Sequence, residues 1–111
     1  MSRTDLQRLR EAVVHLDAID AHLARGDLDD QTIADAACLR LAAAIEAVSG
    51  IDTDIRTATF GPDWALIWAT RNRIAHGYAF IDRNLIEATI AEDVPQFEAS
   101  VRLLLDTAFG S

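Results

Sequence analysis

The sequence predicts an all-α fold, and three observations carry this prediction. Alanine accounts for twenty of the 111 residues, whereas glycine and proline together account for seven. Residues that lose little conformational freedom in a helix therefore dominate the chain. Apolar residues recur at steps of three and four, and no segment alternates as a strand would. We expect one domain over residues 1–111, an up-and-down four-helix bundle whose last helix is kinked or broken near Pro95.

The first helix is expected over about residues 5–25. Thr4 and Gln7 have the spacing of a capping box, and Gly26 supplies a stop. Its apolar stripe consists of Leu6, Leu9, Val13, Leu16, Ile19 and Leu23.

The second helix is expected to begin near Asp29 and to end at Gly50. Its apolar face is rich in alanine, so a neighbouring helix can approach closely. Because aspartate and threonine are frequent between Ile51 and Gly61, this link is predicted to be an exposed connection.

Pro62 suits the first position of a third helix, which Gly77 ends. Asp82 is placed to cap a fourth helix, in which Pro95 has no N–H to donate and should interrupt the regular hydrogen bonding.

The charge balance argues against extensive nucleic-acid binding. Eighteen acidic residues face ten basic ones, all of them arginine, which gives a net charge of −8. The segment 71–83 is an exception, since its three arginines and one aspartate give +2. Cys38 is the single cysteine, no apolar run could span a membrane, and the N-terminus does not resemble a signal peptide. These features predict a soluble, cytoplasmic protein without a membrane partner.

The segment Arg71–Tyr78, of sequence RNRIAHGY, is the strongest candidate for chemistry. Arg71 can hold a phosphate with two parallel donors, and an imidazole such as that of His76 can transfer a proton near neutral pH. Asn72 lies one helical turn before His76 and could orient the ring or contact the substrate. Arg73 is more typical of a surface charge, although it could add phosphate affinity.

Together, Arg71 and His76 supply what metal-free cleavage of RNA requires. The 2′-hydroxyl attacks the adjacent phosphorus, the histidine transfers a proton, and the arginine stabilises the charge that develops on the phosphate oxygens. Residues five apart on a helix point about 140° away from each other, however. Either the helix ends or bends before His76, or a second subunit of a symmetric dimer completes the site.

Over roughly residues 3–108, the sequence resembles the HepT-type HEPN ribonuclease toxins. The pattern R-N-x-I-x-H-x-Y at 71–78 carries the resemblance, together with Trp64 upstream and Asp93-Val94-Pro95 downstream. In the second helix, Arg40-Leu41 followed by Ala44-Ile45-Glu46-Ala47 is similar to the family segment R-L-x-x-I-G-E-A. Ile45 departs from the glycine that is common in the family.

The resemblance implies an HEPN-like fold and a homodimer with the motif at the subunit interface. It implies catalytic roles for Arg71 and His76 and a companion role for Asn72, without a metal or other cofactor. It also implies that a partner nucleotidyltransferase antitoxin of the MntA type adds AMP to Tyr78. The added bulk and negative charge would exclude RNA from the cleft.

Simpler interpretations exist for each of these residues. Arginines near the C-terminus of a helix often only complement its dipole, and Tyr78 could be a tyrosine at the edge of the core. Trp64 and Trp68 suit a core or a dimer interface. Glu46 is a candidate buried partner for Arg71 or Arg40.

His15 and His22 share one face of the first helix, and without a third ligand they are more typical of packed or solvated residues than of a metal site. Two functions therefore remain open. One is an endoribonuclease toxin, and the other is a non-enzymatic helical companion that binds a minimal nucleotidyltransferase.

Overall fold

The computed structural model describes the backbone of residues 1–77 and 82–110 and the side chains of 1–77 and 82–108. Every regular element within these ranges is helical, so the predicted all-α class is confirmed. The elements are α1 (Arg3–Leu23), α2 (Gln31–Ser49), α3 (Thr53–Phe60), α4 (Asp63–Gly77), α5 (Arg83–Ala88), a π-helical turn (Thr89–Asp93) and α6 (Val94–Gly110).

Helix α1 begins with a capping box, but not with the predicted one. The Ser2 hydroxyl accepts a hydrogen bond from the Asp5 amide at 3.0 Å, and the Asp5 carboxylate accepts one from the Ser2 amide at 3.2 Å. Thr4 lies inside the helix instead of capping it, so the capping box predicted for Thr4 and Gln7 is wrong. The reason is that Ser2 has the extended backbone of an N-cap. Three residues later, Asp5 supplies the carboxylate that accepts from the Ser2 amide.

Helices α1 and α2 form the main packing contact of the core. Asp30 caps α2 by accepting a hydrogen bond from the Thr32 amide at 2.9 Å. Ala12, Ala37 and Ala44 are fully buried, in agreement with the expected close approach of small side chains. Cys38 is also buried, and loss of water around its thiol, followed by the charge of Asp35, raises its pKa to about 11. The departure from the family pattern, Ile45, packs in this core at 2% exposure.

The segment predicted as an exposed connection contains an additional helix, α3, so that prediction is wrong. Asp52 caps this helix by accepting hydrogen bonds from the Asp54 and Ile55 amides. Its last residue, Phe60, is buried and stacks on Phe97 with ring centroids 5.8 Å apart. The polar residues that suggest a loop are thus an N-cap and a first helical turn.

Helix α4 occupies the region predicted for the third helix, and Gly61 separates it from α3. Gly61 has a φ of 53°, a conformation that favours glycine. No residue of α4 is fully buried, although the helix contains two tryptophans, a leucine and two isoleucines. Leu66 is 71% exposed.

The last predicted helix begins where expected, and its hydrogen bonding changes in a π-helical turn shortly before Pro95. Asp82 caps α5 by accepting a hydrogen bond from the Asn84 amide at 2.7 Å. The Val94 amide then donates to the Thr89 carbonyl, the longer hydrogen bond of a π-helix. Pro95 follows directly, and the wider turn accommodates a residue that has no N–H and whose ring crowds the preceding turn. No helix among the described residues combines the length and apolar character needed to cross a membrane.

Candidate catalytic site on α4

The guanidinium of Arg71 is held from three directions. Its Nη2 atom lies 3.3 Å from Oε2 of Glu46 on α2, and its Nη1 atom donates to Oδ1 of Asn72 at 3.2 Å. Its Cζ atom lies 4.9 Å from the ring centroid of Trp68, one turn earlier on α4. Because an arginine carries five N–H donors, this arrangement orients the group and still leaves donors for a ligand anion.

Glu46 is thus a partner of Arg71, one of the two arginines that the sequence suggested for it. Its side chain is 61% exposed, however, so the expectation that it is buried is wrong. Arg40 instead places Nη1 3.1 Å from Nδ1 of His15. That contact agrees with a packed position for His15, one of the two alternatives to a metal site that the sequence suggested.

His76 is exposed and makes no hydrogen bond or ion pair with any of the described residues. Helix α4 continues through Gly77, so it neither ends nor breaks before His76. With regular helical spacing, the side chains of Arg71 and His76 diverge by about 140°. One protomer therefore does not bring the two groups together. Asn72 accepts a hydrogen bond from Arg71 and makes none with His76.

The remaining candidates of the motif differ in their surroundings. Arg73 is exposed and borders a small recess that Ile74 and Cys38 also line. Its position agrees with the expected surface charge. Tyr78, the candidate modification site, lies outside the described residues.

Arg71 forms one end of a stack in which two aromatic rings lie between two cations, an arrangement that the sequence did not predict. The Trp64 and Trp68 rings stack at 25° with centroids 6.2 Å apart. The guanidinium of Arg56 covers Trp64 with its Cζ atom 4.9 Å from the ring centroid, as Arg71 covers Trp68. The spacing of Trp64, Trp68 and Arg71 on one face of a helix was an available signal. No such signal exists for Arg56, because the sequence predicts an exposed connection for the segment that carries it.

A second cluster of ionisable groups lies between α1 and α6. Oxygen atoms of Asp17, Asp20 and Glu98 all lie within 4.8 Å of one another. Arg102 contacts two of these carboxylates, with distances of 2.6 Å to Asp17 and 2.9 Å to Glu98. Burial, followed by the charges of Glu98 and Asp17, raises the pKa of Asp20. The cluster is an ion-pair network around an arginine, and none of its members belongs to α4.

A groove of about 270 Å³ lies on another side of α4, where the helix faces α3 and α6. Phe60, Ile67 and Phe97 form its apolar wall, and Asp63 and Asp93 contribute carboxylates. Two carboxylates and no arginine make this groove unsuitable for RNA phosphates. Anion binding is therefore better served by the Arg71 side of α4.

The helical architecture of the described residues, with Arg71, Asn72 and His76 on one incompletely buried helix, is consistent with the HEPN-like class of proteins. Comparison with known families gives the more particular assignment. The model of the family described as "HepT-like: Ribonuclease HepT-like" matches residues 5–104. The chain therefore belongs to the HepT-like ribonuclease family. No curated protein and no solved structure matches the chain.

Proposed function

We propose that this protein is the toxin of a toxin–antitoxin system and cleaves RNA without a metal ion. Family membership supports ribonuclease activity. The observation that carries the proposal is the fixed guanidinium of Arg71 on the same helix as the exposed imidazole of His76, which pairs with none of the described residues. An oriented cation and a proton carrier are the two groups that attack by a 2′-hydroxyl requires.

In the proposed reaction, the 2′-oxygen forms a bond to phosphorus while the bond from phosphorus to the 5′-oxygen breaks. One imidazole takes the proton of the 2′-hydroxyl, and another donates a proton to the departing 5′-oxygen. The products are a 2′,3′-cyclic phosphate and a 5′-hydroxyl. Arg71 stabilises the negative charge on the non-bridging oxygens, and Asn72 keeps its guanidinium in plane.

The active form we propose is a homodimer with two copies of α4 at one cleft. Two features support it. Arg71 and His76 diverge within one protomer, and α4 leaves all its apolar side chains at least partly exposed. A twofold axis near α4 would place Arg71 of one protomer beside His76 of its partner.

The decisive experiment incubates purified protein with a labelled RNA in EDTA. We expect the unaltered protein to cleave, and His76→Ala and Arg71→Ala to lose at least a hundredfold in kcat, since general acid–base catalysis contributes about that much or more. Arg71→Lys, which keeps the charge but not the planar pair of donors, should recover only part of the loss. RNA binding without cleavage by the unaltered protein would instead support a non-enzymatic companion subunit.

Regulation through Tyr78 is part of the same proposal and rests on the family pattern at 71–78. A nucleotidyltransferase antitoxin would transfer AMP to its hydroxyl, placing a phosphate two residues from His76 and repelling RNA. Co-expression with a neighbouring nucleotidyltransferase should add the mass of AMP to the intact protein and abolish cleavage. Tyr78→Phe should remain unmodified and active, and an unchanged mass would contradict this mode of control.

A further inference from the structure

The stack formed by Arg56, Trp64, Trp68 and Arg71 links two cations across two indole rings. All four side chains are partly buried, and the stack joins α3 to α4. A guanidinium that lies on an indole face is fixed in plane, while its N–H edges stay available for hydrogen bonds. The stack therefore presents two oriented anion-binding groups at its two ends.

Arg56 differs from Arg71 in its partners. Its Nη1 atom donates to the Ser49 carbonyl at 2.9 Å, and no carboxylate of the described residues lies within ion-pairing distance of it. The nearby Asp52 carboxylate is occupied by the two amides of the α3 cap. Arg56 is therefore an oriented cation whose charge no carboxylate of the described residues neutralises, which suits it to bind an external anion.

We propose that Arg56 binds a second phosphate of the RNA substrate, at the opposite end of the two stacked indole rings from the phosphodiester cleaved at Arg71. This inference rests on the proposed function, because it takes Arg71 as the position of the scissile phosphate. The substrate is then a single strand, whose backbone can follow the stack from one arginine to the other. Phosphate contacts do not distinguish bases, so Arg56 contributes affinity and not sequence preference.

A substrate series separates this role from a structural one. A dinucleoside monophosphate offers one phosphate, for Arg71, whereas a tetranucleotide offers a further phosphate for Arg56. We expect Arg56→Gln to lower kcat/KM for the tetranucleotide roughly tenfold, through KM, and to leave the dinucleotide unaffected. Arg56→Lys should recover part of the loss. The matched control, Arg25→Gln, removes one exposed arginine that follows the C-terminus of α1. It should leave kcat/KM unchanged for both substrates.

Equal losses on both substrates would show that Arg56 only supports Arg71 through the two rings and would overturn the proposal. An unchanged kcat/KM for the tetranucleotide would also overturn it. A shift to smaller oligomers in Arg56→Gln would assign the stack to a subunit interface instead.

Should the protein cleave no RNA, the proposed function fails while the Arg56 site remains measurable by binding. The probe is a 2′-O-methyl tetranucleotide, followed by tryptophan fluorescence, because Trp64 and Trp68 are the chain's two tryptophans. The logarithm of the binding constant should fall less steeply with the logarithm of salt concentration in Arg56→Gln. We expect the magnitude of this slope to be smaller by about 0.7 than in the unaltered protein. Absence of binding, or an unchanged slope, rejects the site.

Discussion

Oε2 of Glu46 on α2 lies 3.3 Å from Nη2 of Arg71 on α4, so a carboxylate occupies one edge of the guanidinium proposed to bind the scissile phosphate. Both groups reach solvent, with side-chain exposures of 61% for Glu46 and 22% for Arg71. A pair exposed to this degree contributes about 1 kcal/mol or less to stability. Its larger consequence is electrostatic, because Glu46 both orients the arginine and repels an incoming phosphate.

Glu46→Gln should separate these two effects. Glutamine keeps an oxygen that accepts from Arg71 but removes the negative charge. We expect KM for RNA to fall two- to fivefold at low salt, with kcat unchanged, a change of about 1 kcal/mol or less in binding. Glu46→Ala, which removes the acceptor as well, should lower kcat. A higher KM in Glu46→Gln would contradict the repulsion argument.

Leu66 tests the proposed dimer. Its side chain is 71% exposed on α4, and Leu103 on α6 provides a control of similar exposure at 66%. If α4 lies in the interface, Leu66→Asp buries an unpaired charge and should raise the dimer dissociation constant at least a hundredfold, a cost of about 3 kcal/mol. Light scattering after size exclusion reports the mass. Cleavage should fall together with the dimer in Leu66→Asp, whereas Leu103→Asp should change neither property. A monomeric unaltered protein that cleaves RNA would reject the dimer.

Much of the fold could be predicted from the sequence because its signals are local. Asp82 acts through backbone hydrogen bonding within one turn and marks the start of the last helical region, and Pro95 lies just after its π-helical turn. Helix α3 was missed because its decisive contact is not local. Phe60 is buried against Phe97, and no pattern within eight residues reveals that pairing.

The candidate site shows the same limit. The motif and the Glu46 partner were accessible, since spacing and charge suggested both. The exposure of Glu46 and the position of Arg56 depend on how α2 and α3 pack around α4, which the sequence of α4 does not contain. In the proposed dimer, Arg71 meets His76 of a second copy of the chain, a relation that the sequence of one protomer does not contain.

Ala44 tests the close packing of the core. It is fully buried on α2. Ala44→Leu adds three carbon atoms where no space exists and should lower the free energy of unfolding by about 1–3 kcal/mol. The exposed Ala21 on α1 provides the matched change, and Ala21→Leu should alter stability by about 0.5 kcal/mol or less. Urea denaturation followed by circular dichroism measures both. Equal stabilities of the two variants would show that the alanine-rich face tolerates larger side chains.

Asp5 connects the start of α1 to the segment after α2 and should make stability depend on pH. Its Oδ1 atom accepts a hydrogen bond from the Asp52 amide at 3.0 Å, and its carboxylate completes the cap with Ser2. Burial by itself would raise the pKa of Asp5, but the hydrogen bonds from Ser2 and Asp52 outweigh it and lower the pKa below 3.8. A lowered folded-state pKa means that the stabilisation is complete well above pH 4 and is lost as the pH falls through the folded value.

Asp5→Asn should therefore cost about 1–2 kcal/mol at pH 7, where the charged acceptor is fully present. The difference from the unaltered protein should shrink between about pH 4 and pH 2, as Asp5 takes up a proton. Urea midpoints at pH 7, 5, 3 and 2 measure this convergence. Asp106→Asn, at an exposed position of α6, removes the same charge and should follow the unaltered protein throughout. A gap between Asp5→Asn and the unaltered protein that stays constant down to pH 2 would mean that the cap is maintained by geometry and not by the charge of the carboxylate.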